Sequence, residues 1–336
     1  MALLFADSFD HYTTVSDKWT QSTASLSISS GNGRNGTSCG RVTTTNGTAK
    51  RTIGSLTTWV FGSAFRANTV SDNNPIMTLS NSGSAVFEIG ITPAGKIYAS
   101  RSGTVIATGT IILSMNVYYF IECKVTLNAS TGTITTKING VTDLNLTGQN
   151  TGGTTADTFG IGQRAGGNNN FVNTWDWDDL YVLDTTGSAP TNDFLGDVRV
   201  EAIFPNNNGN SSQLVGSDSN STDNYLLVDE SAPNSDTDYV ESSTVGDKDT
   251  YAMGNLTSTT GTVYGVQILP FAKKTDAGTR SIKSVTRLST TEEDSADKTL
   301  STVYAYLPDI RETKPGGGAW SISDVNSAEI GVKVSA

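Results

Sequence analysis

Two cysteines and one histidine in 336 residues leave little material for several common kinds of protein chemistry. A disulfide framework needs more cysteine than this, and Cys123 alternates with Tyr119, Ile121 and Val125 on what reads as the buried face of a strand, so Cys39 and Cys123 are expected as two buried thiols. His11 stands beside Tyr12 with no Gly-x-Ser-x-Gly nucleophile motif elsewhere, and a hydrolytic triad is not expected. Basic residues are also scarce: 22 Lys and Arg face 33 Asp and Glu, for a net charge of -11. The imbalance is local, with 11 basic and 12 acidic residues in 1–187 but 11 and 21 in 188–336. Binding to a polyanion needs clustered Lys and Arg to displace counterions, so nucleic acid is excluded as an expected partner. No apolar run approaches the roughly 20 residues that span a bilayer, and no basic segment followed by an apolar stretch opens the chain. Neither membrane insertion nor signal-directed export is expected. Runs rich in Ala, Leu, Glu and Lys at a 3.6-residue period are nearly missing, which argues against a helical fold.

The chain is rich in glycine, with 34 residues of it, and in Ser, Thr and Asn. That composition suits many short strands joined by tight turns, and the expected fold class is all-β. Segments with a two-residue apolar period recur at 25–29, 40–45, 57–66, 84–91, 118–127, 132–138, 141–146 and 158–162, the spacing of a β-sandwich. Asn139-Gly140 favours a two-residue hairpin turn, which would pair 132–138 with 141–146. In 118–127 the odd positions are apolar, while Glu122 and Lys124 lie on the opposite, wet face. Trp175-Asp-Trp-Asp-Asp-Leu-Tyr-Val-Leu-Asp184 reads as a closing strand, and Gly187 and Pro190 stop it. The chain therefore divides into two domains, 1–187 and 188–336. In the second, strands are expected at 197–205, 225–229, 237–242, 249–254, 263–271, 281–288, 300–307 and 328–334. The polar run between Pro205 and Tyr225 reads as a loop, disordered or ordered only against a partner. One helical turn capped by Ser321 or Ser323 precedes the last strand.

The opening Leu3-Leu-Phe-Ala-Asp-Ser-Phe-Asp10, the strand 175–184, Tyr118-Tyr-Phe-Ile-Glu-Cys-Lys-Val125 with its hairpin, and Phe159-Gly-Ile-Gly162 occur in an order that resembles a laminin-G or concanavalin A-like jelly roll. The resemblance covers about residues 1–187, and it is closest to the version carried by structural proteins of tailed bacteriophages. It implies a jelly-roll sandwich whose first and last strands pair. Residues 188–336, above all Trp320-Ser-Ile-Ser-Asp-Val-Asn-Ser-Ala-Glu-Ile-Gly-Val-Lys333, resemble the domain that follows such a module in several phage virion proteins, and imply a second, smaller β-sandwich. The family expectation is therefore a virion protein assembled in the host cytoplasm. It would be displayed as a tail fibre or appendage module, with head decoration or glycan-binding receptor recognition as alternatives. Its partners would be other tail or capsid proteins and further copies of itself, a trimer being the common arrangement in the family.

Candidate chemistry is sparse. Glucanases on this fold carry Glu-x-Asp-x-x-Glu on one strand, two carboxylates serving as nucleophile and acid/base. Glu88 and Glu122 are single and Glu292-Glu293-Asp294 sit in a turn, so no catalytic residue and no enzyme activity are expected. Gly31-Asn-Gly-Arg-Asn-Gly36 matches a dinucleotide-binding spacing, but Thr37 to Thr45 is β-like, and a phosphate site there needs a helix N-terminus. No cofactor is expected. A structural calcium is a candidate at Asp176, Asp178, Asp179 and Asp184, and a weaker one at Asp236, Asp238, Asp247 and Asp249, although calcium needs further oxygens from distant loops. Trp175 and Trp177, with Asn170 and Asn173, form a candidate glycan platform for a host-surface sugar: indole rings stack on pyranose faces and amides bind hydroxyls. The competing reading packs both rings under a loop or against the second domain, since aromatic rings are buried area first.

Overall fold

The computed structural model describes residues 2–44, 46–162 and 174–336. By its internal contacts the chain divides into two compact units, Met1–Val200 and Glu201–Ala336.

Unit 1 is a sandwich of two antiparallel sheets, its strands numbered in chain order. Sheet I runs in space β13 (Val141–Gln149), β12 (Gly132–Ile138), β11 (Tyr119–Thr126), β6 (Thr58–Ala67), β15 (Trp175–Leu183), β4 (Cys39–Val42) and β3 (Leu26–Ser29). Strand β1 (Leu3–Asp7) joins it beside β15, with Asp7 opposite Leu180 and Leu3 opposite Leu183, so the first and last strands pair. Sheet II runs β10 (Thr104–Ile112), β9 (Lys96–Arg101), β8 (Ser84–Ile91), β7 (Asn74–Asn81), β14 (Ala156–Gly162), β5 (Thr48–Leu56) and β2 (Gln21–Ser22). Period-2 alternation supplies the core between them. Phe61 and Phe65 from β6 meet Phe159, Leu79, Phe87 and Ile89 from sheet II, all at most 1% exposed, with Phe61 and Phe159 ring centroids 5.3 Å apart. Cys39 and Cys123 are both buried free thiols. Burial pushes the Cys39 thiol up to about 12, which makes it unreactive at neutral pH. The Asn139-Gly140 turn forms as expected, with φ of 49° and 79°, and joins β12 to β13 in antiparallel register.

The N-terminal segment is fastened by one buried carboxylate. Asp7 accepts hydrogen bonds from Phe9 N, Tyr12 Oη, Trp19 Nε1 and Lys18 Nζ at 2.7–3.1 Å. Burial alone would raise its pKa, but Lys18, His11 and these hydrogen bonds outweigh that and hold it below the usual carboxylate range.

Unit 2 is also β-built. Sheet III runs β16 (Pro205–Ser212), β19 (Lys248–Met253), β27 (Glu329–Val334), β22 (Ser281–Leu288) and β23 (Thr291–Asp294), with β24 (Lys298–Thr299) beside β22. Three two-stranded ribbons accompany it: β17 (Val215–Gly216) with β18 (Val240–Glu241), β20 (Val266–Ile268) with β26 (Asp309–Arg311), and β21 (Phe271–Ala272) with β25 (Ala305–Tyr306). A short helix, α1 (Ile322–Ser327), starts at a capping box in which the Ser321 and Asp324 side chains bond each other's backbone N–H groups. Its Val325 packs with Trp320 and Ala328.

Three local expectations are corrected. The expected strand 197–205 is not a strand up to Phe204; Val198 O and Val200 N are bonded instead to the side chains of Arg34 and Asp179. The polar run after Pro205 is a strand, its Asn-rich backbone pairing with β19. The expected strand 225–229 lies largely within a 3-10 turn, Asn224–Leu227. Elsewhere 84–91, 132–138 and 281–288 are strands over those same residues.

Candidate functional site

Strand β15 carries most of the residues that stand out in the sequence, and its two faces have separate uses. Trp175 and Trp177 point into the core and are 0% exposed. Phe65 lies against both, at 5.5 and 5.3 Å between centroids. Their indole N–H groups donate to Thr69 O at 2.9 Å and Ile76 O at 3.1 Å. The candidate platform is corrected accordingly: neither ring has a face left for a sugar, because both complete the inter-sheet core. Asn170 and Asn173 lie outside the described residues.

The acidic residues of β15 occupy the opposite face, each with its own partners. Asp176 sits between two arginines: Arg41 Nε to Oδ1 and Arg66 Nη2 to Oδ2 are both 2.6 Å. At the next bulge along the strand, Asp179 adopts a φ of 49°, and the kink aims its carboxylate at Arg34. Asp178 Oδ2 accepts from Arg34 N at 2.7 Å, and Asp179 accepts from Val200 N at 2.8 Å and Arg34 Nη1 at 3.3 Å. Burial pushes both carboxyl groups upward, and for Asp178 the adjacent Asp179 adds to it. Asp184 closes its own turn through Thr186. These four carboxylates are thus spread among arginines and backbone N–H groups and do not converge. The weaker set is divided too. Asp236 pairs with Lys273, Asp238 with Asn234, Asp247 with Ser242, and buried Asp249 with Asn224 and Tyr251. Among the described residues no group of three or more His, Cys, Asp or Glu side chains is placed to hold a metal ion.

Sequence reasoning missed Arg34 and misread Glu122. The segment after β15 lies across the outer face of sheet I as a strap. Arg34 holds it through Val198 O at 3.1 Å and Asp197 Oδ1 at 2.5 Å, with its guanidinium over the Phe120 ring. Glu122, expected on a wet face, is 0% exposed. Its Oε1 accepts from Tyr181 Oη at 2.5 Å and from Gly196 N at 2.9 Å. Gly62 makes room, since a Cβ there would stand 2.7 Å from the Tyr181 ring. Alternation places Glu122 on the outer side of its strand correctly, but nothing local announces that residues 195–200 come back to cover it. Burial raises the Glu122 pKa, more than the two hydrogen bonds lower it.

The outer face of sheet II carries a polar array that spans several strands. Cross-strand pairing sets Lys50, Gly160, Thr78, Glu88 and Ser100 in one row across β5, β14, β7, β8 and β9. Thr52, Thr158 and Ser80 form the neighbouring row. Ser100 Oγ donates to Glu88 Oε2 at 2.9 Å. Glu88 and Ser100 are each 1% exposed, whereas Lys50, Thr78 and Thr158 are half-buried and Thr52 is exposed. Gly160 puts no side chain between Lys50 and Thr78. The open half of the array thus presents an ammonium group and three hydroxyls, of which Thr158 Oγ1 donates to Asp157 Oδ1 at 2.8 Å, groups that hydrogen-bond polyhydroxyl ligands.

No protein-family model matches the sequence, and no curated protein matches it. Among solved structures, the chain is similar to an alginate lyase, Aly36B, at 14% identity and a TM-score of 0.37, over 59% of this chain and 98% of that one. It is similar to the catalytic domain of a glycoside hydrolase family 131 protein from Coprinopsis cinerea at 12% identity and a TM-score of 0.34, over 58% and 98%. A Trypanosoma rangeli sialidase matches at 8% identity and a TM-score of 0.34, over 47% of this chain and 27% of its own. The fold class, all-β with a jelly-roll sandwich in unit 1, rests on the strands and sheets themselves. These similarities correct the expectation of a non-enzyme, which rests on the lack of a paired-carboxylate strand: the sandwiches that the chain resembles are enzymes.

Proposed function

We propose that this chain is a surface-displayed structural component of a tailed-phage particle, a tail-appendage module whose jelly-roll unit contacts carbohydrate through the outer face of sheet II. The virion part rests on the resemblance of residues 1–187 and 188–336 to phage virion domains. The observation that supports it most is the position of the two segments that carry the resemblance. Residues 3–7 and 180–183 are bonded side by side in sheet I, the pairing that the family implies. The carbohydrate part rests on the Lys50, Thr52, Thr78 and Thr158 array, since the tryptophans are spent in the core.

Two experiments test the reading separately. Gradient fractionation of a phage lysate containing the protein, with peptide mass fingerprinting of the fractions, is expected to find the chain with intact particles; recovery only in the soluble fraction contradicts the virion role. A glycan and polysaccharide array probed with the full chain is expected to show retention that falls at least tenfold in Lys50→Ala with Thr78→Ala and is unchanged in Arg280→Ala. Reducing-end assays on the retained polysaccharide then tell contact from turnover. Retention indifferent to the Lys50 and Thr78 changes would remove sheet II from the account.

A further inference from the structure

Charge is distributed unevenly among the sheets. The strands of sheet II carry Lys50, Arg51, Lys96 and Arg101 against Glu88 and Asp157, a net of +2 in a chain whose net charge is -11. Those of sheet I carry four basic and six acidic residues, and those of sheet III balance at five each. Arg51 turns away to the Lys18 carbonyl and the Phe5 ring, and Arg101 stands in register with core Phe87, so Lys50 and Lys96 are the cations of the outer face. Neither has an ion-pair partner among the described residues, whereas in unit 2 every Lys and Arg except Lys274 faces a carboxylate. The two acids of the sheet do not neutralise them. Glu88 is 1% exposed, engaged by Ser100 and three strands away from Lys50, and Asp157 is held by Ser82 N and Thr158 Oγ1. Lys50 is also placed for contact along the sheet. Its stem lies across Gly160, where a Cβ would stand 3.3 Å from Lys50 Cγ, and Thr78 follows Gly160 in the row. Lys96 is set apart, beyond Tyr98, which is buried across Gly90; four strand spacings across and four residues along put it roughly 23 Å from Lys50.

We infer that the open part of sheet II binds an acidic saccharide, with the Lys50 ammonium taking its carboxylate or sulfate group and Thr52 and Thr78 taking its hydroxyls. This rests on the carbohydrate reading of the same face and adds the charge of the ligand. A neutral sugar leaves the ammonium charge uncompensated on a half-buried stem; a carboxylate or sulfate answers it with a hydrogen bond in which both partners are charged. One ammonium suits a ligand whose anionic groups are set among hydroxyls, and does not suit a nucleic acid, whose charge density needs clustered cations. The rest of the molecule keeps the contact local. Residues 188–336 carry 21 acidic against 11 basic residues and repel an anionic polymer, and at physiological ionic strength a screening length of about 8 Å confines the attraction to the surroundings of Lys50. Lys96 lies well outside that length and cannot substitute for it.

Immobilised polysaccharides probed with the full chain at low and at physiological salt test it, with polygalacturonate and hyaluronan as carboxylate bearers, κ-carrageenan as a sulfate bearer, and dextran and glucomannan as neutral controls. The expected result is retention on at least one acidic polysaccharide at least tenfold above either neutral one, weaker at physiological salt. Whether the carboxylate or the sulfate bearers are retained tells which anionic group Lys50 takes. Lys50→Gln is expected to bring acidic retention down to the neutral level, Lys50→Arg to preserve it, and Lys96→Gln to leave it as in wild type. Equal retention on the neutral polysaccharides, still sensitive to Lys50 and Thr78, overturns the acidic assignment and leaves the carbohydrate reading in place. Equal loss in Lys50→Gln and Lys96→Gln reduces the effect to net charge and overturns it as well, and retention on none of the surfaces ends both readings.

Discussion

Replacing Trp177 by alanine removes a fully buried indole together with its hydrogen bond to Ile76, and such truncations cost about 3–5 kcal/mol. Thermal denaturation is expected to show that loss in unit 1. Trp177→Phe, which keeps most of the volume, is expected to retain whatever carbohydrate binding the wild type has; selective loss of binding in a stable Trp177→Phe protein would put the ring back at the surface. Glu122 makes a second case. Its carboxyl is raised by burial, so the folded unit loses stability as pH rises from the unfolded value near 4.5 through the folded one. Glu122→Gln keeps the acceptor for Tyr181 and Gly196 and carries no charge. Its melting temperature is expected to exceed wild type at pH 8 and to converge with it near pH 4. His11 works in the opposite direction. Burial drives its pKa down to about 3, so below about 6.5 the unfolded chain takes up a proton that the folded chain refuses. Unit 1 is expected to lose up to about 1.4 kcal/mol per pH unit between 6.5 and 3 from this group alone. Denaturant titrations at pH 7, 5.5 and 4 on wild type and His11→Gln measure it, and equal slopes for the two proteins would contradict it.

The strap after β15 is held by side chains rather than by strand pairing. Removing the Arg34 guanidinium releases Val198 O and the Asp197 carboxylate and leaves Asp179 with Arg199 as its remaining nearby cation. Hydrogen exchange at the Val200 amide, which is bonded to Asp179, is expected to accelerate at least tenfold in Arg34→Met, while amides in β6 are unaffected. Uniform acceleration across sheet I would mean that the clasp is part of the core. Legibility in the sequence divides along the same line. Strands with regular alternation are readable, as at 84–91 and 281–288, and so are the Asn139-Gly140 turn and the Ser321 cap, because each depends on neighbours in the chain. Five strands of unit 1, β2, β5, β7, β9 and β10, escape such a reading. In β5 and β10 the alternation is blurred, with few residues fully buried. β16 is hidden because its Asn, Gly and Ser residues contribute backbone to the sheet and little side-chain burial. Glu122 and Arg34 depend on contacts 74 and 164 residues away along the chain, which no local pattern reports.

Considered whole, the chain joins a densely packed jelly roll to a second β-unit in which far fewer apolar side chains are fully buried. The first suits a rigid body that presents a sheet face and loops to its surroundings. The fold class is legible because composition and periodicity both speak for short antiparallel strands. The site is less so: the rings that look like a sugar platform are core, and the Lys50 to Ser100 row exists only once five strands are laid side by side. A surface-displayed phage component makes a definite demand on the particle. Single-particle imaging of purified virions is the most direct test: the account predicts β-sandwich density fitted by this chain on the tail with the outer face of sheet II turned to solvent, whereas particles with no density for the chain, or with that face buried against the particle, would contradict it.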